Sequence, residues 1–469
     1  MNSTKPAFIL NSLSQPELNR FDKYISTQFE GAEVTFWQYI KPFCKERNIV
    51  SVDKQKCWKL VFGNKRFNAL KYARLLSDFT KILEAFLVND QFQKNETDKQ
   101  LSLLEIYNSR GIPSCIPPLL KHTSKQLNSF PYRDEQYYKW AFQRDEQQHN
   151  FVESQDSRQE EKHLQQTIHS LDTLYLLQKL KYSAMVLHYQ KFMAIDSSLY
   201  FLEEVLHYSC TDQFAKIPLI QIYVSIIYTL QDKGGVEHYR KLTTLLKAHA
   251  SLFTKEELEN IYAYALNFCI RKINQGDLDF QLHIFELYKQ MLNDGSLTHQ
   301  GSISPWDFKN IVTIALRVKA FDWANKFINE QSIFIPKKDR NNAITFNRAR
   351  YFFATQKYGQ VLALLGTVEY DDVFYQLDAK TTLMKTYFEL DEYQPLQSLK
   401  ESFRILLSRK KGISETQRLL YGNFIKLCLK LYRIDVKDNK KVNALKKEIE
   451  TTSNVADMGW IKEKLLELV

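Results

Sequence analysis

Apolar residues recur along most of this chain at three- and four-residue steps, the mark of helices that bury one face. Leu18, Phe21, Tyr24 and Ile25 form such a stripe, and Ser14, Pro16 and Glu17 before it give capping-box spacing with proline in the first turn. A second helix is expected over about 35–46, bent or started late by Pro42. Trp58 and Phe62 predict a short helix. Leu70, Ala73, Leu76, Phe79, Leu83, Phe86 and Leu87 then line one face, with Lys71, Arg74, Asp78, Lys81 and Glu84 opposite. Residues 1–110 therefore read as a helical N-terminal module.

Gly111, Pro113, Pro117 and Pro118 interrupt the periodicity, because X-Pro steps disfavour the α region in the preceding residue. With the polar stretch at 144–163, they divide off 111–163 as a Pro-broken, polar connecting region. The stretch 144–163 lacks Gly and Pro, which favours a solvated helix over a flexible linker. Long helices and hairpins are expected from 164 to 303. The stretch from about Glu160 to Phe192 carries the longest uninterrupted helical pattern, long enough to predict a turn near 179–183. Shorter helices follow at about 196–208, 216–231, 235–249, 255–274 and 278–292.

Between 304 and 432 the pattern repeats. Ser304, Pro305 and Asp307 start the first of three helix pairs. An aromatic recurs in each second helix at Phe321, Tyr358 and Tyr393, followed three residues later by Ala324, Val361 and Leu396. The spacings, 37 and 35 residues, are those of a helix-turn-helix repeat. Two short charged helices at about 438–451 and 455–468 close the chain in a basic C-terminal capping segment, 433–469.

These residues resemble the tetratricopeptide (TPR) repeat. Phe321, Ala324 and Pro336 match the later positions of one repeat, Ala349, Phe352 and Tyr358 the next, and Tyr387 and Tyr393 a third. Val361 and Leu396 replace the usual alanine, and Ala315 stands where an aromatic belongs. The whole chain is also similar to an uncharacterised bacterial family of long helical-repeat proteins, through SPWDFKNIVTIALRVKAFDWANKFI at 304–328, SRKKGIS at 408–414 and RFNALKYARLLSDFTKILEAFLV at 66–88. The resemblances imply an all-α fold: a TPR-like helical-repeat α-solenoid with a helical N-terminal module and a C-terminal capping helix pair. Some TPR proteins hold a peptide's C-terminal carboxylate with lysine and asparagine on successive first helices. Lys309 and Asn347 fall at matching positions here, whereas Thr313, Asp378 and Thr382 stand where Asn, Lys and Arg belong. Asp378 would repel a carboxylate.

Composition agrees with helices. Only 13 of 469 residues are glycine, too few for a chain of strands and tight turns. The six cysteines show no CxxC pair, so they read as reduced thiols. No apolar run reaches membrane-spanning length, and the short apolar stretch near the N-terminus is below that of a signal-peptide core. A soluble cytoplasmic protein is the expectation.

Candidate chemistry is sparse. GxGxxG, GxxxxGK[ST], HExxH, CxxC and GxSxG are all missing, so nothing calls for an enzyme, a cofactor or a metal. The closest histidines, His163 and His169, fall on opposite sides of a helix. Acidic residues at 369–372 read as a helix start. Charge is the stronger signal: between Lys400 and Lys447 there are 14 basic residues against 4 acidic, the whole surplus of a chain with net charge +10. Arg409, Lys410 and Lys411 open this tract. Lys426, Lys430, Arg433 and Lys437 would share one stripe if their helix continues that far. A second basic excess runs from Lys54 to Lys81, interleaved with aromatics that read as core. The expectation is a non-enzymatic scaffold or adaptor that binds protein through a concave helical surface. The alternative is an RNA- or ribosome-associated protein that uses the basic tract at 400–447.

Overall fold

The computed structural model describes residues 4–46, 52–155, 160–193, 198–232, 234–298, 301–366, 373–410 and 412–467. Among them the chain is all-α: 23 α-helices, short 3-10 turns and no β-strand. It divides into two compact units, Met1–Gln178 and Lys179–Val469.

In the first unit α1 (Lys5–Ser12), α2 (Gln15–Gln28), α3 (Ala32–Lys45), α4 (Lys54–Phe62) and α5 (Ala69–Lys94) enclose an aromatic core. Phe21, Phe36, Trp37 and Phe79 are wholly buried, with Phe21 edge-on to Trp37 at 4.8 Å and Phe36 to Phe79 at 4.9 Å. Edge-to-face pairs of this kind add to the burial of the rings. The Trp37 indole N–H donates to Asp22 at 2.8 Å, so the buried ring keeps its polar edge satisfied. Trp58 and Tyr72 join this core too. The basic excess at 54–81 therefore coats a module whose aromatics mostly face inward, although Phe67 stays exposed.

The stretch 111–163 is more than a connection. After α6 (Glu96–Ser109) it carries α7 (Ile116–Ser129) and α8 (Glu135–Glu153), which share a second core built on Leu104, Ile116, Leu127 and Trp140. Pro117 and Pro118 break no helix here, because both lie in the first turn of α7. There a missing N–H costs nothing.

Acid should loosen this unit. The Glu17 carboxyl is held down to about 2, first by the Ser14 backbone N–H and then by the Ser14 hydroxyl and Lys94. Asp90 is also held down to about 2, first by its hydrogen bond from Arg20, despite the opposing effect of burial. Both carboxyls are depressed on folding, so their stabilisation is complete above their ordinary range and fades as pH falls from about 4.5 towards 2. Urea midpoints should therefore drop across that window, and Glu17→Gln with Asp90→Asn should flatten the drop.

α9 (Glu160–Met193) runs for 34 residues without the turn expected at 179–183, since nothing in it breaks a helix. The second unit holds α10 (Leu202–Ser209), α11 (Pro218–Gln231), α12 (Gly235–His249), α13 (Lys255–Asn274) and α14 (Phe280–Asp294). Next come three helix pairs: α15 (Pro305–Arg317) with α16 (Phe321–Gln331), α17 (Lys337–Ala354) with α18 (Tyr358–Leu365), and α19 (Val373–Glu389) with α20 (Tyr393–Arg409). The unit ends with α21 (Glu415–Arg433), α22 (Asn439–Thr451) and α23 (Met458–Glu467).

The packing order is regular. Each helix from α13 to α23 touches the next, and α15, α17, α19, α21 and α23 also pack successively on one another. These alternate helices form one layer, inner with respect to the cavity that it lines, and α16, α18, α20 and α22 connect them in sequence.

The same turn closes the first helix of all three pairs. Lys319, Gln356 and Asp391 adopt left-handed backbone angles (φ 59°, 58° and 57°), each two residues before the recurrent aromatic. In each case the following N–H reaches back five residues: Ala320 to Ala315 at 2.9 Å, Lys357 to Phe352 at 2.8 Å and Glu392 to Tyr387 at 2.9 Å. That bond satisfies a carbonyl that the helix end would otherwise leave open. Ala324, Val361 and Leu396, three residues beyond the aromatics, are wholly buried. The sequence recurrence is thus a recurrence of backbone geometry.

None of the three left-handed residues is glycine, the residue that tolerates this conformation best. Gln356→Gly should therefore raise stability by roughly 0.5 kcal/mol, the relief of left-handed strain less the added entropy of the unfolded chain. Equilibrium urea unfolding measures it.

Candidate ligand cavity on the inner helix layer

The inner layer frames a cavity of about 420 Å³. Lys309, Asn310, Thr313 and Arg317 come from α15, and Phe346 and Arg350 from α17. Asp378, Thr381, Thr382 and Lys385 come from α19, Tyr421 from α21, and Asp457 from the turn before α23. Spacings of three and four residues put each set on one helix face. Ile270, Ile273, Ile284 and Tyr288 of α13 and α14 supply an apolar side.

The polar wall is a network. Lys309 Nζ forms a short ion pair with Asp378 Oδ2, and the Tyr421 hydroxyl donates to Asp378 Oδ1 at 2.9 Å. Lys385 pairs closely with Asp457. Arg350 Nη1 donates to the Thr313 hydroxyl at 2.6 Å. Aromatic faces lie under the cations: Lys309 Nζ is 4.6 Å from the Trp306 ring centre, and Lys385 Nζ is 4.4 Å from that of Phe353. Such contacts strengthen where water is scarce. Burial raises the Asp457 carboxyl, but Lys385 and then Arg350 outweigh it and leave the group below its ordinary value. Burial pushes the Tyr421 hydroxyl up, and its contact with Asp378 pushes it further. Four cations face two carboxylates across the wall, so the cavity is net positive.

The two residues matched to the carboxylate-holding positions part company here. Lys309 lines the cavity, but its charge is taken by Asp378. Asn347 is not in the wall: it is wholly buried, and its Nδ2 donates to the Ala343 carbonyl at 2.8 Å within its own helix. The two-residue clamp is therefore not assembled. Asp378, read from sequence as a repelling charge, is neutralised by Lys309 and capped by Tyr421.

The basic tract does not form one stripe either. α21 ends at Arg433 with Ile434 extended, so Lys437 lies beyond the helix and off the row. Lys426 and Lys430 both pair with Glu448 of α22, at 2.9 and 2.6 Å. Hydrogen bonds from Lys426, then Lys430, hold that carboxyl low. Arg433 donates to the Tyr393 hydroxyl at 3.0 Å. Arg409 and Lys410 are exposed at the end of α20, and Lys411 lies outside the described residues, as do the acidic positions 369–372.

Sequence reasoning passed over Arg317, Arg350, Lys385, Tyr421 and Asp457. The available signal was spacing: Lys309, Thr313 and Arg317 step by four, and Asp378, Thr382 and Lys385 by four and three. Both rows begin at the clamp positions Lys309, Thr313, Asp378 and Thr382, but polar rows of this kind usually mark solvated faces, so their continuation to Arg317 and Lys385 carries no signal of its own.

In comparisons with family models, curated proteins and solved structures, nothing matches this chain. Among the described residues no helix is long and apolar enough to cross a membrane.

Proposed function

We propose that the second unit is a TPR-like helical-repeat solenoid, and that the chain works as a non-enzymatic cytoplasmic scaffold binding an acidic segment of a partner protein. The observation that carries this reading is the inner layer of α15, α17, α19, α21 and α23, whose common face carries a positive surplus. Stacked helix pairs of this type present an extended inner surface to partners, and opposite charge speeds and selects the encounter. The regular turns at Lys319, Gln356 and Asp391 support the repeat assignment.

The nucleic-acid reading has weaker support, because Glu448 occupies two of the cations it needs. Asn274 and Asn310 are exposed on the cavity wall, so Asn274→Glu with Asn310→Glu adds repulsion at little structural cost. In affinity capture at physiological salt, the wild-type chain should retain a protein partner after nuclease treatment, and the double variant should lose it. Loss on nuclease treatment, or on reversal of Lys426, Lys430 and Arg433, would favour nucleic acid instead.

A further inference from the structure

Among the described residues, two cations of the cavity have no counter-ion. Lys309 and Lys385 are each matched by a carboxylate, but among the described residues neither Arg317 nor Arg350 forms an ion pair. Arg350 is the more telling. Its limited accessible surface opens onto the cavity, while protein surrounds it deeply enough that desolvation pulls its guanidinium below the ordinary value. Asp378 and Asp457 oppose that pull from a distance, and Arg317 adds to it. A desolvated cation without an anion is costly to fold around. Charge imbalance of this kind, placed in a cavity, is a mark of binding sites.

The geometry defines the missing ligand. A guanidinium presents five N–H donors in a planar fork, and one bond from Nη1 goes to Thr313. The rest suit an anion with two oxygens side by side, a carboxylate or a phosphate. Lys309 and Lys385 hold Asp378 and Asp457, so those carboxylates are engaged elsewhere. Ile270, Ile273, Ile284, Tyr288 and Phe346 make the rest of the wall apolar. The cavity volume, about 420 Å³, lies in the range of small-molecule sites.

We propose that this cavity binds a small organic oxyanion, a carboxylate or phosphate on an apolar body, with Arg350 as its anchor and Arg317 at its exposed rim. This goes beyond the scaffold reading and does not rest on it.

Isothermal titration of the purified full chain tests the site, with phenyl phosphate, phenylacetate and inorganic phosphate as probes. At least one of the two organic anions should bind saturably, and more tightly than inorganic phosphate, which has no apolar body. The better of the two identifies the head group. Arg350→Gln should weaken binding about tenfold or more, as expected when a charge-assisted pair of hydrogen bonds is lost. Arg317→Gln, at an exposed position with no fold to disturb, should weaken it too, and it decides the matter if the Arg350 variant does not fold. Lys426→Glu should bind as the wild type does. Failure of both organic probes to bind at about 10 mM, or unchanged binding by Arg317→Gln and a folded Arg350→Gln, would overturn the proposal. Neither result depends on whether a protein partner is captured.

Discussion

Asp378→Ala is expected to destabilise the second unit by about 3 kcal/mol. Its carboxylate joins three inner helices, pairing with Lys309 of α15 and accepting from Tyr421 of α21 at 2.9 Å. The Lys309 side chain is only 14% exposed, so removing the anion leaves a largely desolvated ammonium and a buried hydroxyl without their partner. An orphaned charge costs far more than a surface ion pair is worth. Asp378→Asn should cost less, because its amide oxygen still accepts from Tyr421. Urea unfolding followed by tryptophan fluorescence measures both. A cost below about 0.5 kcal/mol, the range of surface substitutions, would mean that the network does not join these helices.

Phe403→Ala should cost about 3–5 kcal/mol. The ring is wholly buried in α20, within the core shared with α21 and α23, and lies 6.0 Å from Tyr421. Little can collapse into the space, because Leu396, Leu407, Phe424 and Ile461 around it are themselves buried. Cavity cost adds to lost transfer energy, which sets this substitution above any on the surface. If the loss is small, α20 is not held in the core it shares with α21 and α23.

Local chemistry was legible in the sequence. Ser304 and Asp307 do start α15, with the Asp307 N–H donating to the Ser304 hydroxyl at 3.0 Å. Ser414 and Gln417 form a full capping box at α21. The recurrent aromatics do open the second helices, because a turn of fixed geometry places them there. Each of these signals spans a few residues.

What was not legible depends on residues far apart. Lys309 meets Asp378 across 69 positions and Lys385 meets Asp457 across 72, and no periodicity encodes either pairing. Glu448 lies one residue past the basic tract, yet it is the residue that halves the tract's apparent row of cations. Asn347 matched a binding position, but the turn of α17 sends it into the core three residues from Arg350, which faces the cavity. Proline at 117 and 118 looks the same in sequence whether it breaks a helix or begins one.

If the inner layer is the binding face, contacts with a partner must form there and not on the outer helices. A photo-crosslinking residue placed at Asn310, exposed on the cavity wall, should trap a defined protein adduct in nuclease-treated lysate. The same residue at Ile405, exposed on α20, should trap none. Adducts through Ile405 alone, or equally through both positions, would show that the inner layer is not the binding face.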